Sequence, residues 1–151
     1  MPSFRSSRTV IFSPGDMFDL VADVESYPQF LPLCEALRVR RRGPIDNGRE
    51  VLLADMTVGY KAIRETFTSR VTLDKDNLKI LVEYVDGPFS HMENQWVFKP
   101  DGNGTTIEFH IDYQFKSRML GLLMGAMFET AFKRFSDAFV ERAEKIFPQR
   151  L

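Results

Sequence analysis

Apolar and polar side chains alternate in six segments between Cys34 and Phe115, the period of a β-strand whose two faces have different surroundings. In the segment from Ile63 to Leu73, for example, apolar residues predominate at the odd-numbered positions and arginine or threonine occupies the even ones. Clusters of Gly, Pro, Asn and Asp separate the segments: they are Gly43-Pro44, Asp46-Asn47-Gly48, Asp74-Lys75-Asp76-Asn77, Asp86-Gly87-Pro88 and Asp101-Gly102-Asn103-Gly104. The pattern predicts a six-strand meander with one apolar face.

The segments outside the meander predict one more strand and three helical pieces. Residues 4–12 suit a strand, and Ser13 to Asp16 suits a turn that leads into a helix. Pro28 and Pro32 then favour short turns that carry large apolar groups. From Ser117 to Phe147 there is no proline, and apolar residues recur every three or four positions, which predicts a helix of about 45 Å.

A sheet with one apolar face must bury that face, and the long helix is the obvious partner in so short a chain. We therefore expect a single α+β domain over residues 1–151: a strand, two short helices and a six-strand meander, giving a curved antiparallel sheet of about seven strands wrapped around the C-terminal helix. No internal repeat or linker interrupts it.

Charge and cysteine usage narrow the classes of function. Twenty basic and twenty-one acidic side chains give a formal net charge of −1, which provides no overall attraction to nucleic acid, and we expect no DNA partner. The single cysteine, Cys34, excludes an internal disulfide and fits a reducing compartment. No apolar stretch is long enough to span a bilayer and the N-terminus does not resemble a signal peptide. These features favour a cytoplasmic protein, with peripheral contact to the inner membrane left open.

Recognisable catalytic sets are missing from the sequence. There is no nucleophile elbow, no histidine-glutamate metal motif and no phosphate-binding glycine loop, and the two histidines are nineteen residues apart on different predicted strands. Cys34 follows an apolar run without a neighbouring base, so a buried structural thiol is favoured over a nucleophile. We expect no enzyme activity, no metal and no cofactor.

The sequence resembles the coenzyme Q-binding START-domain family, whose bacterial members are often named RatA-type ribosome association toxins. The resemblance covers the whole chain and is carried by the run Val24–Cys34, by Gly87-Pro88-Phe89, and by Asn94, Trp96 and Phe98. It implies the helix-grip fold, with a tunnel between the sheet and the long helix. It also implies a polyprenyl quinone such as ubiquinone as the bound ligand, in support of respiratory electron transport.

The predicted tunnel lining combines the apolar face of the sheet with the apolar stripe of the helix. The candidate ligand-binding residues are Met56, Val58, Glu65, Phe67, Val82, Tyr84, Asn94, Trp96, Phe109, Ile111, Tyr113, Met124, Phe128, Phe132 and Phe135. Tyr27, Phe30, Leu31, Pro88 and Phe89 are the candidate cap or entrance. For each residue alone, ordinary core packing is the competing interpretation; for the set, an apolar binding site is favoured.

Glu65 is the most informative single position, because alternation places it on the apolar face between Ile63 and Phe67. An unpaired charge there is costly. Glu65 is therefore either a polar group that orients a quinone head, with Asn94 and Tyr84 as further candidates, or a residue near a strand end or in an ion pair.

Two further features leave alternatives open. Arg38, Arg40, Arg41, Arg42 and Arg49 cluster on one predicted hairpin and form either a solvated surface or a basic patch for anionic lipid or ribosomal RNA. Glycines 121 and 125 weaken the first turns of the long helix, which suggests close packing or a movable lid.

Three functions follow, in order of preference. The first is non-enzymatic binding or chaperoning of a hydrophobic molecule such as ubiquinone. The second is a ribosome-associating inhibitor of translation, with the ribosome as partner. The third is a cyclase or lyase on the same fold, with Glu65 and Tyr84 as acid and base.

Overall fold

The computed structural model describes residues 3–60 and 62–147. Seven strands and two α-helices account for most of them, and two short 3-10 helices cover Val24–Gln29 and Asp46–Gly48. In chain order the elements are β1 (Ser3–Val10), α1 (Pro14–Ala22), β2 (Cys34–Pro44), β3 (Glu50–Tyr60), β4 (Ile63–Asp74), β5 (Lys79–Asp86), β6 (Phe89–Asp101), β7 (Gly104–Phe115) and α2 (Arg118–Ile146).

All seven strands form one antiparallel sheet in the order β1-β7-β6-β5-β4-β3-β2. Strands β2 to β7 are a meander in which each strand pairs with the next, and β1 pairs with the far edge of β7. The predicted α+β architecture is confirmed.

Alternation along the strands produces the two faces of the sheet. In β7 the side chains of Ile107, Phe109 and Ile111 are buried, whereas Glu108 and His110 lie half-buried on the opposite face. We call the apolar side, which faces α2, the concave face. The same alternation sets the concave face of β3, β4 and β6.

Helix α2 covers part of this concave face. Ser117 caps its first turn, since the Ser117 hydroxyl accepts a hydrogen bond from the Leu120 N–H at 3.0 Å. The 29 residues of α2 extend about 44 Å, close to the expected length. Its buried stripe lies against β1, β7 and α1: the stripe consists of Met124, Met127, Phe128, Ala131, Phe132, Phe139 and Ala143. The β3–β5 part of the sheet is farther from the helix.

The segment between β1 and β2 closes one end of the fold. Ser13 caps α1 by accepting from the Asp16 N–H at 3.1 Å, and Pro28 lies inside the 3-10 helix that follows. The Tyr27 hydroxyl donates to the Val21 carbonyl and joins α1 to that 3-10 helix. We call residues 24–33 the cap. Within the described residues, neither α-helix is long and apolar enough to cross a membrane.

The helix glycines do not serve close packing. A Cβ atom at Gly125 would meet nothing within 4 Å, and one at Gly121 would only touch the Phe115 ring at 4.0 Å. The close-packing explanation from the sequence is therefore wrong at Gly125. The movable-lid alternative stays a prediction, and glycine has a lower helix propensity than alanine at either position.

Gly125→Ala should therefore stabilise the protein by about 1 kcal/mol, because alanine loses less backbone entropy in a helix and has room at this position. Equilibrium urea unfolding measures the change.

Gly87→Ala is the opposite control, because Gly87 has a φ of +142° and its Cβ would come within 2.6 Å of Phe67 Cβ. It should destabilise the protein. A loss of stability in Gly125→Ala would show that this turn of α2 makes contacts absent from the structure.

Candidate functional site

A cavity of about 120 Å³ lies between the concave face, α2 and the cap. Strands β2 to β7 all contribute to its lining, with α1 and the cap at one end and α2 opposite the sheet. Its lining is Val21, Val24, Tyr27, Leu31, Pro32, Leu33, Cys34, Leu37, Ala54, Met56, Val58, Phe67, Ser69, Val71, Ile80, Val82, Phe89, Met92, Asn94, Trp96, Phe109, Ile111, Phe128, Ala131, Phe132, Phe135 and Phe139.

Small side chains explain why this space is left open. Ala54 and Ser69 pair with each other on β3 and β4 at the middle of the concave face, and Ala131 lines the cavity from α2. All three are buried, yet each fills little volume. The neighbouring β6–β7 region is instead filled by stacked rings, such as Phe89 on Phe115 with centroids 4.9 Å apart.

Most of the predicted lining residues come together at this cavity. These are Met56, Val58, Phe67, Val82, Asn94, Trp96, Phe109, Ile111, Phe128, Phe132 and Phe135 from the predicted lining, and Tyr27, Leu31 and Phe89 from the predicted cap. Half-buried apolar side chains form a cross-strand row from β2 to β4, with Leu37 opposite Met56 and Met56 opposite Phe67. Of the other lining residues, Pro32, Leu33, Val82 and Phe135 are also half-buried.

Other predicted residues pack in the core or cap away from the cavity. Tyr113 contacts the Phe128 and Phe132 rings, and Met124 is fully buried in the hydrophobic core. Phe30, in the cap, contacts the Phe139 ring but does not itself line the cavity.

Pro88 is buried in the turn before β6, where its carbonyl accepts from the Lys116 N–H at 2.8 Å. For Pro88, as for the other residues away from the cavity, core or turn packing is the role that the structure shows.

Glu65 lies outside the cavity lining. It sits opposite Val58 near the start of β4 and is half-buried. Strand β5 pairs with β4 only from Thr68 onward, so this end of β4 has no strand neighbour on that side. The placement favours the strand-end alternative over a tunnel-facing head-group ligand.

Tyr84 is also absent from the lining. Its hydroxyl accepts a hydrogen bond from the Phe89 N–H at 3.2 Å, and its ring packs edge-on against Phe89. Burial is the main cause that raises the pKa of Tyr84. The hydroxyl therefore supports the turn before β6.

A short hydrogen-bond chain ties β6 to β7 at the cavity wall. The indole N–H of Trp96 donates to Asn94 Oδ1 at 2.9 Å, and Asn94 Nδ2 donates to the His110 carbonyl at 2.9 Å. Both side chains are buried. Asn94 is thus already engaged through its oxygen and its nitrogen.

Cys34 lines the cavity next to the cap, where burial raises the pKa of its thiol to about 11. The thiol lies 3.8 Å from the Ala36 carbonyl. At neutral pH it is protonated, and so it is a poor nucleophile.

Several lining residues were missed from the sequence. Ala54, Ser69, Val71, Ile80 and Met92 share the concave face with predicted residues, so alternation alone would have found them. Pro32, Leu33 and Phe139 had no such signal, because their position depends on how the cap and α2 fold back over the sheet.

The five arginines of the hairpin do not form one basic surface. A β-bulge between Val39 and Arg41 shifts the alternation, so that Arg42 lies opposite the buried Leu52 and Arg41 opposite Leu53.

Carboxylates neutralise three of these arginines. Arg42 lies 3.3 Å from Glu25 and 3.6 Å from Glu50, Arg40 lies 3.6 Å from Asp55, and Arg49 pairs with Asp46. Arg38 and Arg41 form no ion pair with any residue that the structure describes.

Within residues 3–60 and 62–147, no three His, Cys, Asp or Glu side chains lie close enough together to hold a metal ion. The cavity lining is mainly apolar, as expected of a site that holds an apolar molecule by packing.

We expect Cys34 to react slowly with iodoacetamide at pH 8, because a pKa of about 11 leaves about one part in a thousand as thiolate. The rate should rise about tenfold per pH unit up to that pKa. Since Cys34 is the single cysteine, mass spectrometry of the whole protein reports it. Protein unfolded in urea at pH 8 is the control and should label much faster; equal rates would contradict the buried placement.

Comparison with known proteins places the chain in a family. The family model described as "Polyketide cyclase / dehydrase and lipid transport" matches residues 10–140. The ribosome association toxin RatA of Rickettsia prowazekii is 33% identical, over 97% of this chain and 99% of its own length. The persistence and stress-resistance toxin PasT of Escherichia coli is 35% identical, over 99% of this chain and 92% of its own length. The mitochondrial coenzyme Q-binding protein of Schizosaccharomyces pombe is 27% identical, over 93% of this chain and 86% of its own length.

Solved structures agree with this assignment. The solution structure of an 18 kDa protein from Caulobacter crescentus superposes with a TM-score of 0.81 at 32% identity, covering 99% of this chain and 100% of that one. A START superfamily protein from Mycobacterium smegmatis has the same fold, with a TM-score of 0.78 at 18% identity over 95% and 98% of the two chains. With its helix-grip fold and a family match over most of its length, this chain belongs to the START-like polyketide cyclase and lipid transport family.

Proposed function

We propose that this protein is a non-enzymatic binder of a hydrophobic small molecule, with a polyprenyl quinone such as ubiquinone as the specific candidate. The observation that carries the proposal is the cavity, whose lining is almost wholly aliphatic and aromatic. Such a lining binds by displacement of water from apolar surface, at about 25 cal/mol per Å².

Cavity size limits how much of a ligand is enclosed. An engineered cavity of about 150 Å³ in another protein holds one benzene molecule, and the cavity here is about 120 Å³. One ring or a short piece of isoprenoid chain therefore fits. A longer tail must leave past the half-buried lining residues, such as Leu37, Met56 and Phe67, or α2 and the cap must move apart.

A cyclase or lyase activity lacks its acid and base at this site. Glu65 and Tyr84, the two candidates, are both absent from the cavity lining, and the Cys34 thiol is protonated. Although the family description includes cyclases and dehydrases, binding without chemistry is the better match to this cavity.

Membrane contact is better supported at the start of α2 than on the arginine hairpin. Met119, Leu122 and Leu123 are 71%, 79% and 56% exposed, which is costly in water. Lys116 and Arg118 lie beside them, and no acidic residue occurs from Lys116 to Phe128. Apolar side chains flanked by basic ones are typical of a helix end that contacts an anionic lipid surface, as on the inner membrane facing the cytoplasm.

Ribosome association is the second candidate, and the names of the relatives favour it over quinone binding as the biological role. The toxins RatA and PasT are 33% and 35% identical to this chain, whereas the coenzyme Q-binding relative is 27% identical. The two proposals concern different surfaces, since a ribosome contact uses the exterior and a lipid occupies the cavity.

Ala54→Ile should abolish most ligand binding, because the larger side chain fills the middle of the cavity. We expect the Kd for a ubiquinone with two isoprene units to rise at least tenfold, with a melting temperature equal to or above wild type. Fluorescence of Trp96, the single tryptophan and a cavity residue, reports the titration.

Ala36→Ile is the matched control, since Ala36 is exposed on the edge strand β2. It should bind like wild type. Unchanged fluorescence of wild type, together with no lipid found by mass spectrometry of an organic extract, would refute ligand binding; equal binding by Ala54→Ile would place the site elsewhere.

The surface proposals are separated by a second experiment with wild type, an Arg38→Glu/Arg41→Glu double variant and Leu122→Ser. Membrane contact through α2 predicts flotation with anionic vesicles that falls several-fold in Leu122→Ser and little in the arginine variant. Ribosome association through the hairpin predicts salt-sensitive sedimentation with ribosomal subunits that falls in the arginine variant. If Leu122→Ser floats with the vesicles as wild type does, membrane contact through α2 is contradicted. If the arginine variant sediments with ribosomal subunits as wild type does, ribosome contact through the hairpin is contradicted.

A further inference from the structure

One polar group in the cavity wall has no hydrogen-bond partner. The polar side chains of Tyr27, Cys34, Asn94 and Trp96 each contact a backbone or side-chain partner. The Ser69 hydroxyl oxygen is buried and has no partner within the part of the chain that the structure describes. Buried polar groups are normally paired, so this exception needs an explanation.

Ser69 lines the cavity, so rotation about its Cα–Cβ bond would present the hydroxyl to a molecule inside. Ser69 is 6% exposed and lines the cavity together with Phe67 and Val71, the residues two positions before and after it on the same face of β4. Its cross-strand neighbours are Ala54 on β3 and Tyr84 on β5. Ala54 has no polar side-chain atom, and the Tyr84 hydroxyl is directed to the Phe89 N–H.

Water is a poor partner for this hydroxyl. A buried water molecule is typically held by two to four polar groups, and the side chains around Ser69 in the cavity are mainly apolar. A hydrogen-bonding atom of another molecule, such as an oxygen, would remove the free energy cost of the unpaired hydroxyl on entering the cavity.

The absence of charged residues from the cavity lining restricts the ligand oxygen to a neutral group. No Asp, Glu, Lys, Arg or His is among the residues that line the cavity. A carboxylate or phosphate placed there would be an unpaired buried charge, which is far more costly than an unpaired neutral group. A fatty acid anion and a phospholipid head group are therefore excluded from the cavity.

We infer that the cavity selects a neutral hydrophobic molecule with at least one hydrogen-bonding oxygen, a carbonyl or a hydroxyl, and that the Ser69 hydroxyl contacts one such oxygen. The inference rests on the proposed function, because it requires that the cavity is a binding site. It assigns the polar contact of the ligand to the centre of β4, whereas the sequence suggested Glu65 at the end of that strand.

The test compares two probes with the same geranyl tail on wild type and Ser69→Ala: a ubiquinone with two isoprene units, and geranylbenzene, which has a smaller ring and no oxygen. Ser69→Ala should weaken quinone binding about fivefold, as expected for one neutral hydrogen bond, and leave geranylbenzene binding unchanged or tighter. The melting temperature of the free variant should equal or exceed that of wild type, because an unpaired hydroxyl is removed.

Infrared spectroscopy gives a direct readout of the contact. A quinone carbonyl that accepts from Ser69 should show a lower stretching frequency in wild type than in Ser69→Ala. Ser7→Ala, on the exposed side of β1, is the matched control and should behave like wild type in every measurement.

The outcomes separate the two proposals. If neither probe binds wild type, the proposed function itself fails. If both probes bind but Ser69→Ala changes their affinities by the same factor, or leaves the quinone affinity and carbonyl frequency unchanged, the role of Ser69 is overturned while ligand binding stands.

Discussion

A single helix must cover the apolar face of a seven-stranded curved sheet, and the remaining structure depends on this constraint. Helix α2 lies against β1 and β7, so one part of the sheet is covered directly. The part formed by β3 to β5 is farther from the helix, and the cap of residues 24–33 closes it only at one end. Close packing of the whole face by one helix would require large side chains at the centre of the sheet.

Side-chain size differs between the part of the sheet that α2 covers and the part that lies farther from it. Phe89 anchors a cluster of rings at β6 and β7, in contact with Phe115 and Phe128, and this region is filled. Ala54 and Ser69 occupy the middle of β3 and β4 and leave space. The molecule thus combines a region of packed aromatic rings with a cavity that those rings help to line. A binding site needs both, since a ligand must find space that the rest of the fold does not collapse to fill.

Family membership and cavity chemistry answer different questions about function. The relatives carry two kinds of name, ribosome association or persistence toxins and coenzyme Q-binding proteins, and the toxins are more similar to this chain. The cavity concerns only what is held inside: its lining is apolar, uncharged and equipped with one unpaired hydroxyl. The two kinds of name concern different parts of the molecule, since a ligand would occupy the cavity and a partner would contact the exterior.

Local patterns were enough to predict the strands, the turns and the limits of α2, because alternation, turn residues and the Ser117 cap act over a few residues. They also gave most of the cavity lining, since residues two apart on a strand share a face. The tertiary structure decided the rest. Glu65 follows the alternation but lies outside the cavity lining, near the end of β4 that β5 does not pair with. The arginine hairpin is divided by a bulge in β2. Whether the Ser69 hydroxyl finds a partner depends on atoms from other strands, and no pattern within one strand contains that information.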